Sequence, residues 1–321
     1  MSDYSRNEMG RLAAEHGFIR DSFEKVSRLV GLLAFFEHDP ALSKYLALKG
    51  GTAINLTIFS LPRLSVDIDL DFTENLPLEE TKAVREILRD TLDKFMAMNG
   101  YTFSADKSKQ YHALDSFIYH YTNAGGVKDN IKVEINYSLR SHVLPLSRRP
   151  ITTLGVFEPV NVLSLDPIEI FAAKIAALLT RAAARDLYDV HNMVAHSLFD
   201  ERQMEMLRKC AVFYSAVSAE SVPAAMDFSK IDALTEREIR TRLVPMLRRK
   251  EPFDFGTARD AVKNYLAELL ALSSNEKQFL DSFRNGEYRP ELLFVGAELE
   301  RIRDHPMVAW KMRNYERSGK S

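Results

Sequence analysis

Apolar residues at helical spacing between positions 4 and 37, among them Phe23, Val26, Leu29, Val30, Leu32 and Leu33, predict two helices ahead of the first strand. Tyr45 to Leu48 is a short apolar run that Gly50-Gly51 breaks. Thr52-Ala53-Ile54-Asn55-Leu56 then reads as a helix start continuing to about Phe59. Beyond a Leu-Pro-Arg turn the period becomes two: Val66, Ile68 and Leu70 alternate with Asp67, Asp69 and Asp71, giving a short strand with an apolar and an acidic face. Pro77 opens a helix that Asn99-Gly100 stops after Met98. Tyr101 to Ala105 suggests another strand. Asp115 to Thr122 and Ile131 to Ser138, separated by NAGGVKDN, predict a hairpin, so the sheet is at least partly antiparallel. In its second strand Ile131, Val133, Ile135 and Tyr137 share one face, and Lys132, Glu134 and Asn136 the other.

Past the proline-bearing stretch from Leu144 to Pro150 the pattern turns helical. Residues 166–197 are rich in alanine, with Asp166 as N-cap, Pro167 in the first turn and Glu169 where a capping box places its acid. Phe171, Ile175, Leu178 and Leu179 form a buried stripe. Lys174 lies on an adjoining stripe with Ile170, Ala177 and Arg181, where it can either approach another element closely or snorkel to solvent. Asp186 and Asp189 share a helical face, and Arg185 can pair with Asp189; a local salt-bridge lattice would account for them without any function. From about 200 onward only helices and turns are read. The expected architecture is therefore α+β, with an α/β domain over 1–160 and a helical domain over 161–321.

Three carboxylates along one strand face repel each other unless water, a Lys or Arg, or a divalent cation compensates them, and a metal is the economical reading. Just upstream, Gly50, Gly51 and Thr52 at a helix start form a natural phosphate site. Glu134 could complete a metal site if its strand neighbours the aspartate strand, although a strand glutamate between Lys and Asn also suits solvent. With 321 residues, 46% hydrophobic and 27% charged, the chain is a globular protein of one or two domains. Its net charge of −2 excludes a polycation that coats nucleic acid, so any RNA contact needs a local patch. Residues 237–250 carry six positive charges against one glutamate. The tail interleaves Arg301, Arg303, Lys311, Arg313 and Arg317 with Trp310 and Tyr315. Either cluster taken alone reads first as a solvated helix face. Cys210 is the one cysteine, which excludes an intrachain disulfide and a multi-cysteine zinc site. The N-terminus lacks an apolar signal core and no stretch approaches a membrane span, so a cytoplasmic protein is expected.

The segments LKGGTAINL, RLSVDIDLDF, IKVEINYS, EIFAAKIAALLTRAAARDLYDV and RPELLFVGAELERIRDHPMVAWKMRN, in this order, resemble the AbiEii-type nucleotidyltransferase toxins. These include the MenT toxins and form the enzyme half of type IV toxin–antitoxin systems, within the DNA polymerase β-like superfamily. The resemblance implies a nucleotidyltransferase-type mixed sheet with N-terminal helices, and an all-helical C-terminal domain contributing Lys174 and Asp186 to the active cleft. It further implies transfer of NMP from an NTP, with Mg²⁺ or Mn²⁺, to an RNA acceptor such as the tRNA 3′ end, and control by a cognate antitoxin. Asp67 and Asp69 match the metal-binding catalytic pair. Glu134 matches a third carboxylate, as ligand or proton acceptor. Gly50, Gly51, Thr52 and Ser65 match the nucleotide-binding segment, Lys174 a triphosphate ligand and Asp186 its partner, with Asp189 a second candidate. Because Ser65 lies two residues before Asp67, a phosphoryl group there is expected to oppose the metal ligands and inactivate the site. Two alternatives stand beside this reading: transfer to a protein or small-molecule acceptor, and a non-catalytic NTP-binding protein acting through contact.

Overall fold

The computed structural model describes residues 5–155, 158–218, 222–223, 226–249 and 251–318, with residues 316–318 by backbone alone. The chain divides into two compact units. The first comprises Met1–Arg140, Leu146–Leu165 and Met246–Glu251, the second Ser141–Pro145, Asp166–Pro245 and Pro252–Ser321.

In the first unit, α1 (Arg6–His16) and α2 (Arg20–His38) occupy the region where two helices are expected, and a third, α3 (Pro40–Tyr45), follows. The sequence reading missed α3. Its signal is local: Asp39 caps Ala41 and Leu42 while Pro40 fills the first turn, a start that also ends α2. Strand β1 (Leu46–Lys49) leads directly into α4 (Gly50–Ala53), which continues as a π-helical turn over Ile54–Ile58. The helix thus begins at Gly50, two residues earlier than expected. Next come β2 (Asp67–Phe72), α5 (Leu78–Met98), the short β3 (Thr102–Phe103) and β4 (Lys109–Gln110), and the hairpin of β5 (Leu114–Thr122) with β6 (Lys128–Asn136). Two further strands, β7 (Ser147–Pro150) and β8 (Asn161–Ser164), were not legible, being short and, in β7, charged.

Among the described residues these strands form one mixed sheet in the order β3-β5-β6-β2-β1-β8-β7, with β4 on β5. Strand β2 lies at its centre, antiparallel to β1 and parallel to β6. One face buries Leu48, Ile68, Leu70, Phe72, Val133 and Ile135, with Leu33 of α2 beside Leu48 and Leu70. At roughly 1.5–3 kcal/mol per buried side chain, this face holds the strand register that presents alternate residues on the other side.

In the second unit, α6 (Pro167–Thr180) and α7 (Ala184–Ala195) replace the single helical stretch read over 166–197. The break falls at Arg181–Ala183, where Ala182 takes a left-handed φ of 48°. An alanine pays about 1–2 kcal/mol for that conformation, and no glycine or proline marks it in the sequence. Then follow α8 (Glu201–Val217), α9 (Ser229–Asp232), α10 (Glu236–Glu238), α11 (Phe255–Leu269), α12 (Ser274–Arg284), α13 (Gly296–Ile302) and α14 (Pro306–Ser318). Phe171, Ile175 and Leu178 of α6 are buried as the periodicity required, whereas Leu179 is only half-buried. Glu169 does not close a capping box. Fully buried, it accepts hydrogen bonds from the Val143 and Leu144 amides at 2.7 and 3.0 Å and from the Tyr214 hydroxyl, fixing the 141–145 segment to this unit. Burial pushes its carboxyl up from the ordinary range. Among the described residues no helix is long and apolar enough to cross a membrane.

Candidate active site

The acidic strand forms as its alternation demanded, with Ile68 and Leu70 buried and Asp67 and Asp69 half-buried on the opposite face. Parallel pairing sets Asp67 beside Lys132 and Asp69 beside Glu134, and antiparallel pairing sets Lys49 beside Asp69. Glu134 therefore shares the face and level of Asp69, as the sequence reading required of a third acid. Its carboxylate is held by Lys132 at 2.9 Å. Asp71, the third acid of the row, is 2% exposed and bound by Lys49. The compensation that the row of acids calls for is thus partly supplied by a lysine.

The glycine turn packs directly against this row. Gly50 has φ 68°, in the left-handed region, and a Cβ there would lie 2.5 Å from Oδ2 of Asp69. A Cβ on Gly51 would meet Nη2 of Arg63 and Oγ of Ser65, each at 2.9 Å. Both glycines are therefore required by close approach, and Gly50 also by its backbone. The Thr52 hydroxyl is buried and donates to the Asp67 carbonyl, so it positions the aspartate strand instead of lying open to a phosphate. Asn55 holds the Gly51 carbonyl at 2.7 Å. Ser65 is 9% exposed with its hydroxyl against Gly51, so a phosphoryl group there would displace the glycine turn as well as add charge.

Replacing Gly50 with alanine is expected to cost about 1–2 kcal/mol from the backbone alone. The nucleotidyl transfer that the resemblance implies should fall further than that stability loss explains, because the new methyl group would push Asp69 aside. Thermal denaturation and transfer rate measured on one preparation check this; an unchanged rate would mean that the turn does not hold Asp69.

Sequence reasoning missed two residues here. Arg63 was read as part of a turn, yet it is 1% exposed, donates to the Leu64 carbonyl at 2.9 Å and lies beside Gly51. Nothing local to Leu-Pro-Arg announces this; the anchor is tertiary, since Arg63 bridges Leu247 and the Leu64 amide donates to Met246. Lys49 was quoted within its motif and assigned no role, although alternation along β1 puts it on the acidic face.

A second cluster lies wholly in the helical unit. Lys174 neither snorkels nor packs on alanines alone: its Nζ is 2.8 Å from Asp186 and 3.3 Å from Asp189, and its side chain is 11% exposed. Both aspartates are nearly inaccessible, and Arg181 adds a bond to Asp186 at 3.2 Å. Burial raises the Asp186 carboxyl, but Lys174 and Arg181 outweigh it and hold the group below the usual carboxylate range.

The basic clusters are only partly committed within the protein: Arg237, Arg240, Arg242 and Arg249 are exposed. Arg248 donates to the Ser60 and Leu61 carbonyls, and Arg242 pairs with Glu238. Arg301 pairs with Glu298 and Arg303 with Glu300, while the buried Lys311 donates to the Ala216 carbonyl. Trp310 and Arg313 stay exposed. Lys250 and the Arg317 side chain lie outside the described residues.

Among the described residues no three His, Cys, Asp or Glu side chains converge as a ready-made metal cage. Asp67 and Asp69 nonetheless fit Mg²⁺. It takes oxygen donors, commonly one or two carboxylates, and completes its shell with water and substrate phosphate.

No curated protein sequence matches the chain. Among solved structures, MenT4, a nucleotidyltransferase toxin from Mycobacterium tuberculosis H37Rv, shares the fold with a TM-score of 0.66 at 18% identity, over 97% of this chain and 99% of that one. The profile described as nucleotidyl transferase AbiEii toxin, type IV toxin–antitoxin system, matches residues 34–271, which span the glycine turn, the aspartate strand, Glu134 and the Lys174 cluster. The chain belongs to the AbiEii family of nucleotidyltransferase toxins.

Proposed function

We propose that this nucleotidyltransferase transfers NMP from an NTP to the 3′ end of an RNA, with tRNA as the expected class, and that a cognate antitoxin restrains it. The observation that carries the reading is the half-buried Asp67 and Asp69 pair seated on a left-handed glycine turn, in a chain of this family. Asp67 and Asp69 would hold Mg²⁺, or Mn²⁺ in its place, and the ion would supply charge neutralisation at the α-phosphate as pyrophosphate leaves. Gly50 and Gly51 admit the triphosphate close to the backbone. Glu134, one strand away from Asp69, accepts the proton of the attacking hydroxyl or adds an oxygen ligand. Within the helical unit, Lys174 is the cation proposed to bind phosphate, and Asp186 and Asp189 orient it. The exposed Trp310 and Arg313 are of the kind that stacks on and neutralises a single strand.

Incubation with each labelled NTP, Mg²⁺ and total cellular RNA, followed by sizing of the products, tests this. One NTP should label an RNA of tRNA length, and the label should depend on an intact 3′ end. Label appearing only on protein or on a small molecule would replace the acceptor. Nucleotide binding without transfer to any acceptor, in Mg²⁺ and in Mn²⁺, would overturn the reading.

A further inference from the structure

Asp67, Asp69 and Asp71 alternate along one strand face, yet the structure treats the last of them differently. Asp67 and Asp69 are half-buried, whereas Asp71 is 2% exposed. The antiparallel ladder places Lys49 opposite Asp69 and Ala47 opposite Asp71. Cross-strand partners share a face, so Lys49 rises at the level of Asp69 and leans along the strand. Its Nζ then binds Oδ1 of Asp71, across the position where Ala47 contributes only a methyl group. On the other side of Asp71, Asn136 has its Oδ1 occupied by the amides of Ser138 and Leu139 and by the Ser138 hydroxyl. Lys49 also directly precedes Gly50, the residue whose missing Cβ lets Asp69 sit where it does.

We infer that Lys49 and Asp71 form an internal counter-ion pair that confines divalent-cation binding to Asp67 and Asp69 and sets its strength. This rests on the reading of those two aspartates as cation ligands. Without Lys49 the face would offer three carboxylates. With it, Asp71 is compensated and adds little net charge to that face. Asp71 lies about 7 Å from Asp69, two residues along a strand, close enough for a unit charge to act strongly on a divalent ion at an effective dielectric near 20. Breaking the pair from its two ends must therefore shift cation affinity in opposite directions. Lys49 acts here through the carboxylates and is a positioning residue.

The test is a titration with Mn²⁺ alone, without nucleotide, read as free Mn²⁺ by electron paramagnetic resonance. Lys49→Met should bind Mn²⁺ at least tenfold more tightly than the unmodified protein, and Asp71→Asn at least tenfold more weakly. Lys49→Met/Asp71→Asn should return to within about threefold of it. Lys49→Arg keeps the charge and should bind as the unmodified protein does. Equal affinities in all these proteins would overturn the inference. So would a double variant as weak as Asp71→Asn, since that would make Asp71 itself a ligand. If Lys49→Met fails to fold, the comparison of Asp71→Asn with the double variant gives the same decision. Asp67→Asn separates this inference from the reading beneath it. If it leaves Mn²⁺ binding intact, the metal-site reading falls and the inference with it. If it abolishes binding while the Lys49 and Asp71 variants change nothing, only the inference falls.

Discussion

Asp67→Asn and Asp69→Asn are each expected to lower nucleotidyl transfer by about a hundredfold or more while leaving the melting temperature close to that of the unmodified protein. Both substitutions keep the size of the side chain and remove only its charge and one pair of oxygen lone pairs. The fold does not draw on the Asp67 carboxylate for its local anchor, because Thr52 holds the backbone carbonyl of that residue. Each side chain is half-buried, so an amide in its place remains in reach of water. Rates should be measured under saturating NTP in Mg²⁺ and again in Mn²⁺, alongside thermal denaturation. Retained transfer in a folded Asp67→Asn protein would remove the pair from the chemistry. Loss of transfer together with loss of fold would assign the carboxylates to structure instead.

Lys174→Met is expected to give the largest stability effect, about 3–5 kcal/mol at neutral pH. Lys174 compensates two carboxylates that are 2% and 1% exposed, and methionine would leave both Asp186 and Asp189 buried without their shared lysine. Arg181 cannot take over fully, since its side chain is 68% exposed and it bonds only to Asp186 among its ion-pair contacts given above. The pH dependence has a definite sign. In the unmodified protein the Asp186 carboxyl lies below its ordinary value, despite burial, because of Lys174 and Arg181. Its stabilising contribution is therefore complete above about pH 4 and is lost as pH falls through the lowered folded value. In Lys174→Met, burial is no longer outweighed by the lysine, the carboxyl moves up, and the penalty grows as pH rises above about 4. Melting temperatures of the two proteins should approach each other near pH 4 and separate toward pH 7. A penalty independent of pH would show that lost packing, not charge, is responsible. The triple variant Lys174→Met/Asp186→Asn/Asp189→Asn should recover most of the stability but no transfer activity. Recovery of both would make the cluster purely structural.

Local sequence determined much of this protein. Alternation of apolar and acidic residues fixed the faces of the 67–72 strand, because side-chain direction in a strand has a period of two whatever surrounds it. Pro77 and Asn99-Gly100 bounded a helix found at Leu78–Met98, since capping and breaking depend on a few adjacent residues. The hairpin of 114–136 was legible for the same reason, and the order of motifs carried the family.

What the tertiary structure alone decided is which charges meet. The continuous helix read over 166–197 would have carried Asp186 about 18 Å along the axis from Lys174, at 1.5 Å per residue. The turn at Ala182, set by packing and not by any glycine or proline, brings them to 2.8 Å. Asp71 looked equivalent to its neighbours in the acidic row. Only strand pairing could show that Lys49, 22 residues earlier, reaches it. At the stretch from residue 49 to 72, the sequence specified a glycine turn and a face of three acids. Pairing of β1 with β2 then brought Lys49 onto that face and to Asp71, because register, which sets cross-strand neighbours, is fixed by the buried side of the sheet.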